Sequence, residues 1–575
     1  MVEIFLIAVS LALDAFAVSV SSGISIPGFG PRQAVKMGLW FGTFQFLMPL
    51  LGWLLGSSVS QYIEAVDHWV AFGLLAVIGG KMAWESLRRG CGEEGEAPPD
   101  LSAQRLCVLA RRYGLEEGQA AGKVLELARK GRGVRSHVGW YLYRQPLGRP
   151  ERLSSGKGYA WAVVCLSLLA AAGLWWGAGT PVAAVLLVLP LSDIVKNVLD
   201  FFLSHFVPPR PVPRLELEEG IPMEGRTLCV VVSLLTGEES GEELAAALEA
   251  YRLANRDGGP ELRFGILADL PDSAAPMGVQ GERWVDSARR AVERLNEKYG
   301  GGFYLLFRRP VFSPRDERYM GWERKRGALA ELVRLIKGRG SGLLVEAGEA
   351  QWLSGVKLII TLDSDTRLTV GSARAMAGAM LHPLNQPVID PKKRIVISGH
   401  GLFQPRVAVE LPAANRSFFS RVFGGLGGVD PYGWAASDVY HDLFDQGSYT
   451  GKGIFSVEAF DACLDGRFPE GRILSHDLLE GSYLRSGLLG EVELTDGCPY
   501  KVHGYFARLH RWVRGDWQLL PWLKNQVPDG QGGTEDNPLS LLARWKIFDN
   551  LRRSLSPVGT LAALVLGICF SGRAF

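Results

Sequence analysis

Cysteine is scarce in this sequence, with seven among 575 residues. Neither a Cys-x-x-Cys pair nor another spacing typical of zinc ligands is present. The odd number of cysteines also argues against a framework of disulfide bonds. We therefore expect a reducing, cytosolic environment for the soluble part of the chain.

An excess of charge of either sign is also missing, because 62 lysines and arginines face 60 aspartates and glutamates. The resulting net charge of +2 gives no support for a nucleic-acid partner. The N-terminus has no basic segment before its first apolar run and no A-x-A cleavage site, which predicts a retained membrane span rather than a signal peptide. The sequence gives no indication of the oligomeric state.

Long hydrophobic runs are what the sequence has in abundance. Its hydrophobic content is 47% and its mean hydropathy is +0.10. A membrane-spanning helix needs about 20 mostly apolar residues. Five runs satisfy this requirement and a sixth begins near the C-terminus: 4–24, 37–58, 68–84, 159–177, 181–203 and 556–571. Basic residues follow the first and third runs, which predicts a multi-pass protein of the lipid bilayer with residues 85–157 and 204–555 in the cytoplasm.

Strand and helix patterns alternate after the Pro-rich segment 206–222. Residues 227–235 and 262–270 are typical of buried strands, whereas 240–255 and 325–338 have the periodicity of amphipathic helices. This alternation predicts an α/β domain with a sheet dominated by parallel strands. In such sheets ligands bind beyond the carboxyl ends of the strands.

A pair of carboxylates follows one of the predicted strands. In VKLIITLDSDT the apolar run ends at Asp363, and Asp365 follows two residues later. Two carboxylates in such a turn are suited to Mg²⁺ or Mn²⁺, which prefer oxygen ligands and leave positions for substrate phosphates. An ordinary polar turn, for which Asp-Ser-Asp is also well suited, is the alternative.

Three further segments carry candidate functional residues. GSYTGKGIFSVEAF (447–460) is a Gly-rich segment that contains Lys452, with a plain loop as the alternative. RILSHDLLEGSYL (472–484) contains Asp477, which either serves as a general base or caps a helix. RLHRWVRGDWQLLPW (508–522) combines arginines that pair with phosphates and tryptophans that stack on sugars, or else forms an interfacial helix.

The order of these segments resembles the processive GT-A glycosyltransferases. The closer resemblance is to the glycosyltransferase domain of the cyclic β-1,2-glucan synthases, over roughly residues 105–570. It is carried by HVGWYLY, PRLELEEGIP, MGWERKRGALAEL, TLDSDTRL, DPYGWAASDVYHDLF, GKGIFSVEAF, GRILSHDLLEG, HRWVRGDWQLLPWL and LARWKIFDNLRRSL. The resemblance implies a GT-A-type fold and an inverting transfer of glucose from UDP-glucose to a growing β-1,2-glucan.

The resemblance also implies roles for individual residues. Asp363 and Asp365 are similar to the DxD pair that binds Mg²⁺ or Mn²⁺ with the diphosphate of UDP-glucose, and Asp477 is similar to the catalytic base, preceded here by Ser475 and His476. The remaining residues implied in substrate or nucleotide binding are Asp269, Lys325, Arg326, Lys452, Arg511 and Trp512. Arg508 stands where the related QxxRW motif has its glutamine, so the usual contact of that glutamine is not expected here.

A second resemblance covers residues 1–90. LALDAFAVSVSSGI, GLWFGTFQFLMPLLGWLLG and DHWVAFGLLAVIGGKMAWES resemble the first half of the manganese efflux pump (MntP) family. Asp14 lies within a predicted span, and the resemblance implies that it belongs to a metal path. The second half of that family has no counterpart here, so we do not expect transport by this segment alone.

The sequence therefore predicts a bacterial inner-membrane enzyme with a cytosolic catalytic domain. The predicted segments are three spans in 1–90, a linker in 91–157, two spans in 158–204, a Pro-rich linker in 205–225, the GT-A domain in 226–537, and an interfacial helix with the start of a span in 538–575. Another processive β-glycan synthase, or a manganese efflux protein with an inactive glycosyltransferase remnant, is the alternative. The phosphorylase-like domain of the synthases has no counterpart, so we do not expect controlled cyclisation.

Overall fold

The structure is a computed structural model, and aliphatic and β-branched residues form its central strands. It describes residue 106 and residues 117–144, 156–178, 181–207, 209–314, 316–424, 438–473 and 477–569. The chain divides into two compact units, Met1–Glu117 and Gly118–Phe575, and nearly all the described residues belong to the second. The three spans predicted in residues 1–90, with Asp14, lie outside the described residues.

Fifteen strands are present in the described part of the chain, and nine of them form one sheet. The strands are β1 Thr227–Leu234, β2 Leu262–Asp269, β3 Phe303–Arg308, β4 Val311–Ser313, β5 Arg318–Met320, β6 Leu343–Ala347, β7 Leu358–Asp363, β8 Thr366–Leu368, β9 Val388–Asp390, β10 Ile395–Ser398, β11 Leu402–Val409, β12 Gly453–Ser456, β13 Gly487–Asp496, β14 Gln526–Pro528 and β15 Thr534–Asp536.

The large sheet is mixed, with the order β6-β3-β2-β1-β7-β12-β11-β13-β8. Four strand pairs are parallel, namely β3 with β2, β2 with β1, β1 with β7, and β11 with β13. The other pairs are antiparallel, so β12 runs against both of its neighbours in the middle of the sheet. The α/β architecture predicted from the sequence is confirmed, and the mixed, mostly parallel centre of the sheet fits a GT-A-like fold.

The helices of the described part of the chain are α1 Glu117–Lys130, α2 Lys157–Ala178, α3 Pro181–Phe206, α4 Glu238–Ala254, α5 Val279–Tyr299, α6 Arg324–Ile336, α7 Ala350–Leu353, α8 Ser372–Leu381, α9 Leu411–Ala414, α10 Phe418–Phe423, α11 Val439–Phe444, α12 Val457–Leu464, α13 Asp477–Tyr483, α14 Val502–Gln518 and α15 Leu541–Cys569. Some of them cover the two faces of the large sheet.

Two apolar cores result from this arrangement, because successive side chains of a strand point to opposite faces. On β1, Cys229 and Val231 join the core that contains α4, α5 and α8. Leu228 and Val230 join the core on the other face, which contains α6, α12 and α13. The central strands are therefore held from both sides, and their carboxyl ends form a fixed edge.

The apolar segments at 159–177 and 181–203 are the helices α2 and α3. Among the described residues, one helix is long and apolar enough to cross a membrane, and it covers Lys157–Trp176. Side chains such as those of Trp161, Leu169 and Trp176 are largely exposed on its surface. This exposed apolar surface is the feature of α2 that fits a lipid environment.

Candidate active site

A cleft opens at the carboxyl ends of β1, β2 and β7. The register places Leu234 of β1 opposite Asp269 of β2, and Val232 of β1 opposite Asp363 of β7. The volume of the cleft is about 960 Å³. Its lining combines the end of β1, one side of α4, and polar residues from the neighbouring turns: Ser233, Thr236, Ser240, Glu243, Asp269, Arg324, Lys325, Asp363, Ser364 and Arg367.

The acidic pair predicted from the sequence lies at this edge. Asp363 is the last residue of β7, and Asp365 occupies the turn that leads into β8. Their side chains are 36% and 40% exposed, whereas the preceding strand residues are buried, because the strand leaves the sheet at this point. Both carboxylates are therefore accessible to a ligand.

Lys325 and Lys452 both contact Asp363. Lys325 Nζ donates hydrogen bonds to Asp363 Oδ1 at 2.5 Å and to the carbonyl oxygen of Gly451 at 2.6 Å. Lys452 Nζ lies 3.5 Å from Asp363 Oδ2. Burial favours a higher pKa for Asp363, but the two ammonium groups outweigh this effect and lower the pKa to about 2. Asp363 is therefore ionised at neutral pH, as a metal ligand needs to be.

Asp496 is a further acidic residue at the site, and sequence reasoning missed it. It ends β13, which pairs with β8, so Asp496 lies opposite Thr366. Thr366 Oγ1 donates a hydrogen bond of 2.6 Å to Asp496 Oδ1, and Lys452 Nζ donates to Asp496 Oδ2. The strand pairing that brings Asp496 here spans 130 residues of sequence, and no local pattern reveals it.

The Gly-rich segment lies between the acidic pair and Asp477. A Cβ built on Gly451 would lie 2.9 Å from Asp477 Oδ2, so the Asp477 carboxylate packs against this glycine. The buried Gln404 holds this segment in place, because its Oε1 accepts hydrogen bonds from the backbone nitrogen and the hydroxyl of Thr450. Gln404 is a second residue that sequence reasoning missed.

Tyr449 interacts electrostatically with both Asp477 and Asp363. Burial raises the pKa of Tyr449 well above its usual value, and the charges of Glu480, Asp477 and Asp363 raise it further. The neutral phenol therefore interacts with the charges of both Asp477 and Asp363. Asp477 begins α13, and Ser475 and His476 of the predicted motif lie outside the described residues.

Asp269, predicted to contact the nucleotide, forms a buried ion pair. Arg308 Nε and Nη2 donate to its two carboxylate oxygens at 2.9 and 2.6 Å. Arg308 also donates to the carbonyl oxygens of Trp322 and Arg324. This second set of bonds ties the end of β2 to the turn that begins α6, so the pair helps to place Lys325.

The three other predicted residues lie on helices, Arg326 on α6 and both Arg511 and Trp512 on α14. Arg326 is buried, forms an ion pair of 2.7 Å with Glu323 and lies over the ring of Phe468, and it does not line the cleft. Successive helix residues point about 100° apart, so Lys325 and Arg326 face different surroundings. Arg511 is exposed on α14. Trp512, on the same helix, is covered by the guanidinium of Arg508 with 5.7 Å between group and ring centre.

The acidic pair fits a hard divalent cation such as Mg²⁺ or Mn²⁺. Both donors are carboxylates, the oxygen ligands that such cations prefer, and basic groups of Lys325, Lys452 and Arg508 lie beside them. Among the described residues, no cluster of three or more His, Cys, Asp or Glu side chains is arranged to hold a metal ion. Asp363 and Asp365 would therefore hold the cation together with oxygens of the substrate, as Mg²⁺ commonly requires.

Comparison with known proteins separates the chain into two parts. Residues 28–112 match the family model described as a putative manganese efflux pump. The putative manganese efflux pump of Acetivibrio thermocellus is 52% identical over 109 residues, which are 19% of this chain and 54% of that protein. The putative manganese efflux pump MntP 2 of Clostridium botulinum is 41% identical over 109 residues and shares the same fractions.

A longer part of the chain matches a different protein. The cyclic β-(1,2)-glucan synthase NdvB of Rhizobium meliloti is 40% identical over 389 residues, which are 67% of this chain and 13% of that protein. The chain therefore spans a small part of this synthase and about half of the efflux pumps. Among solved structures, a mannosyltransferase of Pyrobaculum calidifontis in complex with GDP-Man and Mn²⁺ is 11% identical, with a TM-score of 0.38 over 68% of this chain and 88% of that one.

The synthase relative supports the predicted enzyme class, a glycosyltransferase. Both resemblances predicted from the sequence are confirmed, because the chain is similar to putative manganese efflux pumps near its N-terminus and to a cyclic β-(1,2)-glucan synthase over 389 residues.

Proposed function

We propose that the α/β domain is a metal-dependent, inverting glycosyltransferase that transfers glucose from UDP-glucose to a growing β-1,2-glucan. The observation that carries this proposal is a series of contacts at the carboxyl edge of the sheet. Asp477 packs against Gly451, the carbonyl oxygen of Gly451 accepts a hydrogen bond from Lys325, and Lys325 also donates to Asp363. A candidate base, a candidate phosphate-binding lysine and a candidate metal ligand thus belong to one series of contacts, of which Lys325 and Asp363 line the cleft. The similarity to a cyclic β-(1,2)-glucan synthase supports the choice of product.

Asp477 is the proposed general base. Its carboxylate accepts the proton of an acceptor hydroxyl while that oxygen forms a bond to C1 of glucose. The bond between C1 and the phosphate oxygen breaks, and its electron pair leaves with UDP. Attack from the face opposite the leaving group converts an α-linked donor into a β-linked product.

Lys325 and Lys452 are placed to stabilise the departing diphosphate. Their ammonium groups already lie at Asp363, and phosphate oxygens bound there would be within their reach. A divalent cation held by Asp363 and Asp365 would supply further positive charge to the leaving group. Gly451 keeps the base close to this set because its backbone carbonyl accepts from Lys325 and its Cα faces Asp477.

Membrane attachment belongs to the same proposal. Helix α2 is long and apolar enough to span a bilayer, and α15 runs from the domain into an apolar segment with exposed Val558, Leu561 and Leu564. We propose a multi-pass protein of the bacterial inner membrane with its catalytic domain in the cytosol, where UDP-glucose is available. The bilayer-directed helices would hold the glucan near the site of synthesis.

Membranes that contain the full chain test this function. They are incubated with radiolabelled UDP-glucose and Mn²⁺ or Mg²⁺, and the polymer is subjected to linkage analysis. We expect metal-dependent β-1,2-linked product from the wild type and loss of incorporation in Asp363→Ala and with EDTA. Product with another linkage would favour a different processive β-glycan synthase, and no incorporation by folded, inserted protein would contradict the proposal.

The efflux-pump-like segment supports a second candidate, manganese export, because residues 28–112 match that family model. The test is growth of manganese-sensitive cells that express the full chain or its Asp14→Asn variant. Protection that depends on Asp14 would support export. Equal sensitivity with and without the chain would contradict it.

A further inference from the structure

A buried lysine of α15 contacts the start of the Gly-rich segment. Lys546 is 5% exposed, and its Nζ donates hydrogen bonds of 2.8 and 2.9 Å to the carbonyl oxygens of Gln446 and Gly447. The ammonium group also lies 4.8 Å from the centre of the Tyr440 ring and interacts with the carboxylate of Asp438. A buried charge has to be paired, and these groups compensate it.

The same turn is held by a second part of the chain. Asp445, which follows α11 with a φ of +57°, accepts a hydrogen bond of 2.9 Å from Arg485 Nη2 and lies 3.5 Å from Arg210 Nε. Arg210 belongs to the Pro-rich segment after α3, and its backbone nitrogen donates to Asp442 of α11 at 2.8 Å. Residues 445–447 are therefore held both by α15 and by the segment that leaves α3.

Gly447 has little room to move at this junction. Its backbone nitrogen donates a hydrogen bond of 2.8 Å to the carbonyl oxygen of Ser486, and a Cβ built on it would lie 3.2 Å from the backbone nitrogen of Leu488. Further along the same segment, Gly451 packs against the carboxylate of Asp477. A displacement of Gly447 would therefore be carried along a short length of chain to the candidate base.

We propose that Lys546 is a positioning residue for the reaction, because it fixes the start of the Gly-rich segment and thereby the place of the Asp477 carboxylate. This inference rests on the proposed function for the role of Asp477. Lys546 does not line the cleft, so its loss should spare donor binding and reduce the rate of transfer. Since α15 continues into the apolar run at 556–571, the helix directed towards the bilayer would also set the geometry of the base.

The test compares Lys546→Met with the wild type, both as the full chain in lipid nanodiscs. Methionine keeps an unbranched side chain and removes the three N–H donors, so the two carbonyl oxygens lose this partner. We expect kcat for glucose transfer to fall about tenfold while the KM for UDP-glucose stays within about twofold of the wild type. Amide hydrogen exchange over residues 445–453 should become faster by about fivefold or more, because the segment opens locally more often.

Arg552→Met is the matched control, because Arg552 is a basic residue of the same helix with the same exposure of 5%. Its guanidinium pairs with Asp549 and Asp193, each at 2.7 Å, rather than with residues 445–447. This variant should lose thermal stability, because a buried ion pair is broken. It should keep kcat within about twofold and leave the exchange of residues 445–453 unchanged.

Gly447→Ala disturbs the same turn without removing a buried charge. Its Cβ would approach the backbone nitrogen of Leu488 to 3.2 Å, which is 0.2 Å closer than the 3.4 Å of ordinary contact. A shift of this size should lower kcat by about two- to threefold and leave the KM for UDP-glucose unchanged. Wild-type kcat in Gly447→Ala would contradict the transmission from this turn to the base.

Three outcomes separate this inference from the proposed function. Unchanged kcat and unchanged exchange in Lys546→Met would overturn the inference and leave the proposed function intact. An equal fall of kcat in Arg552→Met would also overturn it, because the loss of any buried charge of α15 would then be sufficient. Faster exchange in Lys546→Met, with a wild type that transfers no glucose, would support the placement of the segment and contradict the proposed function.

Discussion

Replacement of Gly451 by alanine tests whether this residue sets the position of the candidate base. Gly451 has a φ of +89°, a conformation that residues with a Cβ rarely adopt. The alanine Cβ would lie 2.9 Å from Asp477 Oδ2, whereas ordinary contact begins at 3.4 Å. The substitution therefore strains the backbone and pushes the Asp477 carboxylate away from its present place.

The two effects have different magnitudes. The left-handed conformation costs an alanine about 1–2 kcal/mol of folding free energy. The contact requires the carboxylate to move by 0.5 Å, the difference between 3.4 and 2.9 Å. Since a displacement of about 1 Å costs roughly 100-fold in rate, we expect kcat to fall by about tenfold or more.

Gly466→Ala separates the strain from the displacement. Gly466 has a φ of +62°, but a Cβ built there has no heavy atom within 4 Å. Both variants should lose a similar amount of thermal stability, and only Gly451→Ala should lose glucose incorporation beyond twofold. Full activity of Gly451→Ala, or an equal loss of activity in Gly466→Ala, would refute the placement of the base by this glycine.

Three further outcomes follow from contacts at and around the site. Lys325→Met should raise the KM for UDP-glucose by about 10- to 100-fold in initial-rate assays, because a charge-assisted contact to the diphosphate is lost. An unchanged KM would contradict the role of Lys325 in binding the diphosphate. Arg326→Met should lower the thermal midpoint yet retain kcat, because Arg326 pairs with Glu323 outside the cleft; loss of kcat in folded protein would place it in the site after all. Burial and the neighbouring His137 lower the pKa of His382 to about 4. The unfolded chain therefore binds a proton more readily than the folded chain between pH 6.5 and 4. The free energy of unfolding should fall as the pH decreases through this window. His382→Gln should reduce this fall by about 2 kcal/mol in unfolding experiments at pH 7 and 5, and an identical pH dependence in both proteins would show that His382 is not its source.

Local sequence patterns were sufficient to predict the first strands of the large sheet and the edge at which ligands bind. Strands β1 and β2 coincide closely with the apolar runs of the sequence. Asp269 and Asp363 are the last residues of β2 and β7, at the carboxyl ends of the strands, where an α/β sheet binds its ligands. These features depend on side-chain periodicity and on the position of a strand's last residue. Both can be read from a short window of sequence.

The second half of the sheet depends on pairings between distant segments. β12 enters the sheet antiparallel between β7 and β11, and β13 brings Asp496 to Thr366 across 130 residues. A sequence window contains no information on such a register, so Asp496 and the supporting Gln404 were missed. The adjacent Lys325 and Arg326 show a different limit, because the family resemblance implies both residues in nucleotide binding while the helix directs only Lys325 into the cleft.

Transfer by Asp477→Asn is the measurement that tests the central claim most directly. This variant keeps the size of the side chain and removes the basic oxygen, so binding of UDP with Mn²⁺ should remain within about twofold of the wild type. The rate of glucose transfer at saturating UDP-glucose should fall by about 100-fold or more, the range expected for loss of a general base. Transfer at the wild-type rate by Asp477→Asn would contradict the account, because the carboxylate beside Gly451 would then not be the group that accepts the proton.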